Sequence, residues 1–202
     1  MNTVPGKLIV IEAIDGGGTE TQSKMLLDYL KNKNISAERI CYPDYEQPIG
    51  KLIHEYLHRK FELSPAVQVL LHIADFTKDA VRIKQWLEEG KMVIADRYIT
   101  TTIAYQGFRF PIEKIINLAD IFELPKPDAI VYLKISAETS IKRKLKEKDE
   151  LDRNESNKEF LEQLGKFYLK LIEKNVFGKW VVVDGEKSKE DVFEEIKKAL
   201  DL

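Results

Sequence analysis

Three groups of residues in this chain are of a type and spacing to do chemistry. The first is DGGGTETQ (15–22), which follows the apolar run KLIVIE (7–12). A strand that leads through glycines into a helix is the layout of a phosphate cradle. The helix N-terminus and its backbone N–H groups offer partial positive charge, and glycine lets the backbone approach closely. A tight turn alone would give the same letters. The second group is Asp96 and Arg97, at the end of the apolar run MVIAD (92–96). A carboxylate there suits a magnesium shell, directly or through water, and a guanidinium offers paired donors to phosphate oxygens. A structural ion pair at a strand end is the competing reading. The third is the charged segment KRKLKEKDELDRNES (142–156), with Lys142, Arg143, Lys144, Lys146, Lys148 and Arg153 and few apolar anchors beyond Leu145 and Leu151. It reads as a solvated helix and turn, or as a mobile flap.

The elements that must position these groups are legible as apolar runs. KLIVIE (7–12), AERICY (37–42), MVIAD (92–96), AIVYLKI (129–135) and WVVVD (180–184) read as five strands, most of them buried on both faces. Helical spacing appears between them, in Met25, Leu26, Tyr29 and Leu30, in Ile53, Tyr56 and Leu57, and in Phe160, Leu164, Phe167, Tyr168 and Leu171. Strands alternating with helices predict a parallel α/β sheet with right-handed crossovers. Ligands then bind beyond the carboxyl ends of the strands, just after Glu12, Tyr42, Asp96, Ile135 and Asp184.

Bulk properties exclude several classes. The chain has 202 residues, 44% hydrophobic and 33% charged, enough for one sizeable core and predicted to be a single domain, 1–202. A net charge of −2 gives no overall pull toward nucleic acid or a membrane surface, so neither is expected as a partner. No apolar run approaches the ~18 residues of a membrane span, and MNTVPGK lacks the order of a signal peptide. One cysteine, Cys41, cannot form an internal disulfide, which suits a reducing cytosol. Abundant Lys and Glu with scarce Cys and Met is a composition seen in thermophiles.

Longer stretches carry a family resemblance. IEAIDGGGTETQ (11–22), YPDYEQPIGKLI (42–53), LLHIAD (70–75), DRYITTTIAYQG (96–107), LPKPDAIVYL (124–133), ELDRNE (150–155) and VVDG (182–185) resemble, in order and spacing, the thymidylate kinase family of P-loop nucleoside monophosphate kinases. The resemblance covers nearly the whole length. It implies a three-layer P-loop NTPase fold, a parallel sheet with helices on both faces, and a short lid at about 142–156. It also implies ATP and Mg²⁺ as cofactors, dTMP as acceptor, a homodimer, and a cytoplasmic location. Segments 50–58 and 68–86 are the candidate dimer face.

Roles follow by resemblance. Gly16, Gly17, Gly18, Thr19, Glu20 and Thr21 form the donor loop, with Asp15 near the sugar and acceptor phosphate. Asp15 as a cap of the following helix is the plainer alternative. Arg97 grips the acceptor phosphate and Asp96 serves the metal. Thr101, Thr102, Tyr105 and Gln106 line the nucleoside side, although the threonines fit a helix face as well and Tyr105 could be core. Arg143 and Arg153 match lid arginines over the donor phosphates, Glu155 an acidic residue near the acceptor sugar and metal, and Asp184 belongs to the loop bordering adenine.

Four departures bear on function. Thr19 stands where the family loop has a lysine, with Glu20 behind it, and Ala13 stands where the loop's first glycine is usual. Tyr45 occupies a position where many relatives have an arginine. His72 and Phe76 replace a base-stacking Phe and a base-bonding Arg. Losing the lysine contact is worth on the order of 10²–10³ in rate. Two readings stay open: a kinase whose lid resupplies the charge, or a degenerate nucleotide-binding or regulatory relative. A scaffold with neither activity is the third possibility.

Overall fold

The structure is a computed structural model that describes residues 5–147 and 150–202. The leading MNTV and Lys148, one of the cations assigned above to the lid, lie outside the described residues.

Five parallel strands form the sheet: β1 (Lys7–Glu12), β2 (Ala37–Cys41), β3 (Met92–Asp96), β4 (Ala129–Lys134) and β5 (Trp180–Asp184), in the order β2-β3-β1-β4-β5. Helix α1 (Thr19–Asn32) follows β1, and α2 (Pro48–Leu57) and α3 (Pro65–Glu88) join β2 to β3. Then come α4 (Ile99–Gln106), α5 (Ile112–Ile121), α6 (Ala137–Glu147), α7 (Lys158–Glu173) and α8 (Lys189–Ala199). Alternation along β1 explains the layers. Leu8 and Val10 pack with α3, α4, α5 and α7, while Ile9 and Ile11 pack with α1 and α8 on the opposite face. Helix starts follow local chemistry: Ser64, Asn157 and Ser188 accept the amides of Val67, Phe160 and Asp191, and Pro65 takes the first position of α3.

Strand β1 is central, bonded to β3 on one side and β4 on the other. The chain fills one side first and then crosses to the other. The order therefore reverses beside β1, and the crevice opens at the carboxyl ends of β1 and β3. Two strands are one residue shorter than expected. Strand β2 ends at Cys41 because Pro43, next but one, has no amide to continue the ladder, and β4 ends at Lys134. No helix among the described residues is long and apolar enough to cross a membrane.

Candidate active site

A cavity of about 710 Å³ opens at that crevice. Its floor is the loop from Asp15 to Thr21, and its walls include Arg39 and Cys41 from β2, Asp96 and Arg97 after β3, His72 of α3 and Thr101 to Gln106 of α4. The glycines are required by close approach and by backbone sign. Gly16 has φ +71 and a Cβ there would meet the Ser140 carbonyl at 2.8 Å, while Gly18 has φ +90 and faces open space. A Cβ on Gly17 would come 2.2 Å from the Ala13 methyl. Ala13 itself is fully buried and is not among the positive-φ residues, so its departure from glycine is sterically permitted. The amides of the first turn of α1 have no helical carbonyl to bond and border this open space.

Asp15 does not cap α1; Gly18 holds the cap position without a side-chain bond. The Asp15 carboxylate instead takes the Arg97 guanidinium at 2.8 Å. Arg97 also donates to the Ala13 carbonyl at 3.0 Å, and its Cζ lies 5.9 Å from the Tyr105 ring. Its backbone is left-handed, φ 65, a strain of about 1–3 kcal/mol for a non-glycine residue. The structure holds it there through the Arg97 amide, which bonds Ile11 O at 3.0 Å.

Behind this pair sits a residue that sequence reading missed. Glu12, fully buried at the end of β1, accepts from the amides of Tyr98 and Thr101 and from the hydroxyls of Thr100, Thr101 and Tyr168. Burial pushes its carboxyl up, and the hydroxyl bonds and Arg97 pull it back. Glu12 ties β1, α4 and α7 together beneath Arg97. A carboxylate at the inner end of an apolar strand was the available signal. Thr101 thus divides its role, since its hydroxyl serves Glu12 while the residue lines the cavity. Thr102 and Tyr105 line the same cavity, but their hydroxyls are turned away from the open space and buried; neither makes a hydrogen bond of ordinary length among the described residues, and the Tyr105 hydroxyl feels both Asp15 and Arg97. Gln106 lines it too.

Arg39 was also missed. Its Nη2 meets Asp96 at 2.6 Å and its Nε donates to the Ser23 hydroxyl at 2.7 Å. A charged residue within a strand of a parallel sheet was the hint. Glu20 lines the rim but is largely exposed and pairs with Lys24 at 2.6 Å, a bond that lowers its pKa.

Several expected residues lie elsewhere. Arg143 is not brought to the cavity; it donates to the Gly185 carbonyl at 2.9 Å. Arg153 is turned aside, because its planar fork fits Glu62 with two bonds of 2.9 and 3.0 Å and its Cζ sits 4.0 Å over the Tyr56 ring. Among the described residues of the charged segment, Lys144 is the cation that lines the cavity, paired with Glu147 at 2.8 Å and 3.7 Å from Glu155. Burial lowers its pKa, but those carboxylates and Asp15 reverse the sign and raise it. The segment is not simply solvated, since Glu155 is only 4% exposed and lines the cavity. Phe76 is a core residue, edge-on to Tyr42 at 4.8 Å and to Tyr98 at 5.2 Å. His72 alone of that pair reaches the cavity, and burial pushes its pKa down to about 4, so it is neutral at pH 7. Tyr45 lines the cavity, edge-on to His54 at 5.1 Å. Its loop is held by Lys78, which meets Asp79 at 2.7, Asp75 at 2.9 and Asp44 at 3.5 Å. Asp184 stands off the cavity and accepts the Glu186 amide at 3.1 Å.

Charge balance is the main electrostatic feature. Asp15, Glu20, Asp44, Glu46, Asp96, Glu147, Asp152 and Glu155 line the cavity against Lys24, Arg39, Arg97 and Lys144. An anion entering a hollow with this balance needs positive charge brought with it. A divalent ion fits that need. Magnesium keeps several waters and is held through one or two carboxylates plus substrate phosphates, and Asp96 supplies one carboxylate at the cavity wall.

Comparison with known proteins agrees with this geometry. The thymidylate kinase family model matches residues 11–196. A thymidylate kinase from Carboxydothermus hydrogenoformans is 33% identical over 95% of this chain and 95% of its own length. The human thymidylate kinase is 29% identical over 95% of this chain and 88% of its own. The solved structure of thymidylate kinase from Candida albicans superposes with a TM-score of 0.76 at 27% identity, covering 98% of this chain and 92% of that one. A glycine loop, an Asp–Arg strand end and a tyrosine-bearing helix around one cavity, together with a match over almost all of the chain, place this protein in the thymidylate kinase family.

Proposed function

We propose that this chain transfers the γ-phosphoryl group of ATP to dTMP, giving dTDP. One observation carries the reading: a single cavity joins the glycine loop to the wall formed by Arg97, Thr102 and Tyr105. Donor phosphates have open backbone at Gly18 and the first turn of α1, and the acceptor has the Arg97 cation with Thr102 and Tyr105 on the same wall. Phosphoryl transfer needs in-line positioning and neutralisation of oxygen charge more than covalent chemistry. Arg97, held by Asp15 and Ala13, orients the acceptor phosphate. Neutral His72 and the Thr102 and Tyr105 side chains form the wall against the nucleoside. Asp96 would hold Mg²⁺, which supplies charge neutralisation at the phosphates when bound.

The loop is read as a divergent P-loop without its lysine. The chain is read as one kinase domain with a lid, which brings Arg143 and Arg153 over the donor only after they leave Gly185 and Glu62. It acts as a cytoplasmic homodimer. Leu52, Leu70 and Val81, exposed on α2 and α3, lie within segments 50–58 and 68–86 and form the dimer face. A coupled assay with ATP, Mg²⁺ and each of the four deoxynucleoside monophosphates tests the activity. Turnover highest with dTMP is expected, and no turnover above a heat-killed control refutes it. The acid-rich cavity and the averted arginines favour one second reading, a nucleotide-binding module without transfer. Calorimetry that finds ATP and dTMP binding without turnover would select it.

A further inference from the structure

We propose that Arg39 supplies the cation that Thr19 cannot, donating to the phosphates of the donor nucleotide beside the first turn of α1. The inference rests on the kinase reading above. In the pattern of a glycine loop that ends in lysine and a hydroxyl residue, the lysine reaches the β and γ phosphates and the hydroxyl meets the magnesium ion. Thr19 and Glu20 occupy those two places here. The loop has therefore lost one positive charge and gained one negative.

Among the described residues four cations line the cavity, and each has a carboxylate partner: Lys24 with Glu20, Arg39 with Asp96, Arg97 with Asp15 and Lys144 with Glu147. They are not equivalent. The Lys24 side chain is 58% exposed, so water screens it and its stem is free to move. Arg97 is committed to Asp15 and the Ala13 carbonyl, on the acceptor side. Lys144 lies against the loop, its Cγ 3.3 Å from where a Cβ of Gly16 would stand, but its single ammonium is held by Glu147 at 2.8 Å and faces Glu155 at 3.7 Å, so it reaches a phosphate only by giving up those partners. The Arg39 side chain is only 16% exposed and is fixed from two directions. Its Nε donates to the Ser23 hydroxyl, and that hydroxyl donates to the Glu20 carbonyl at 2.9 Å. The guanidinium is thus tethered to the first turn of the loop's own helix.

A guanidinium has five N–H donors in a rigid fork. Ser23 takes Nε and Asp96 takes Nη2, and among the described residues no acceptor takes Nη1. Arg39 can therefore bond phosphate oxygens without leaving Asp96. A lysine on the loop would reach the phosphates from the loop's own backbone; Arg39 reaches them from β2, the edge strand beyond β3, which packs beside α1.

Calorimetry of ATP binding without metal, together with steady-state kinetics, decides it in wild type, Arg39→Ala, Thr19→Lys and the double variant. Arg39→Ala should weaken metal-free ATP binding about 10-fold or more and lower kcat by about 10²–10³. Its dTMP affinity should stay within about 2-fold of wild type, because the acceptor wall is untouched; unchanged dTMP binding also reports intact folding. Thr19→Lys should restore most of both losses in the Arg39→Ala background, a clearly larger fold gain there than in wild type. Should Arg39→Ala not fold, Arg39→Gln, which keeps hydrogen-bond donors without the charge, takes its place in every arm. The inference is overturned if the variant binds metal-free ATP like wild type, or if Thr19→Lys helps both backgrounds equally. If wild type turns over no deoxynucleoside monophosphate, the kinase reading fails while the metal-free binding arm still judges Arg39.

Discussion

Gly17→Ala is the most quantitative perturbation of the loop. A Cβ built on Gly17 lies 2.2 Å from the Ala13 methyl and 3.0 Å from the Ile14 carbonyl. Ordinary carbon–carbon contact is about 3.5–4.0 Å, so the loop must open by more than about 1 Å at this point. Ala13 cannot yield by rotating a side chain, and it is fully buried against the sheet. Overpacking of this kind costs about 1–3 kcal/mol. For a chain of this size that is a melting-point drop of roughly 2–12 °C. The opening also spreads the amides that border Gly18, so ATP affinity should fall with stability. Ala13→Gly removes the colliding methyl. The double variant then keeps the 3.0 Å contact with Ile14, which a shift of a few tenths of an ångström relieves. Equilibrium urea unfolding of wild type, both single variants and the double gives the coupling directly. A favourable coupling of about 0.5–3 kcal/mol is expected for residues in contact. Additive losses, or a Gly17→Ala variant as stable as wild type, would refute the steric argument and with it the claim that Ala13 is what makes glycine necessary at 17.

Three further outcomes are expected. Glu12→Gln replaces a carboxylate that accepts five bonds by an amide that must donate, and urea unfolding should show a loss of about 2–4 kcal/mol. His72 has a folded pKa of about 4 against 6.5 for the free side chain, so between those values the unfolded chain binds a proton that the folded chain refuses. Stability should therefore fall as pH drops from 6.5 toward 4, by up to about 1.4 kcal/mol per pH unit, and His72→Phe should flatten that slope in melts across the range. Glu62→Gln removes an exposed partner of Arg153, so stability should barely change, while steady-state assays should show faster turnover because Arg153 must leave this pair for the lid to close; unchanged turnover counts against that motion.

What the sequence determined by itself is whatever depends on neighbours along the chain. Each of the five strands showed as a short apolar run because a parallel sheet covered on both faces tolerates few polar residues, and their ends agree with the structure to within one residue. The glycine loop and the Asp96–Arg97 strand end were legible for the same reason, since each is a contiguous set of letters whose chemistry follows from a strand meeting a turn. Only the tertiary structure decided which charges meet. Arg39 and Asp96 are 57 residues apart, Glu12 and Tyr168 are 156 apart, and Arg153 and Glu62 are 91 apart. No local pattern ties such pairs together. Arg143 and Arg153 were expected over the donor by resemblance to the family's lid, yet their direction is set by Gly185, Glu62 and the Tyr56 ring. Phe76 shares a helix with His72, but one turn of α3 carries it from the cavity wall into the core. The reason is general: hydrophobic periodicity is read residue by residue, whereas the partner of a buried charge is chosen by the packing of elements far apart in the chain.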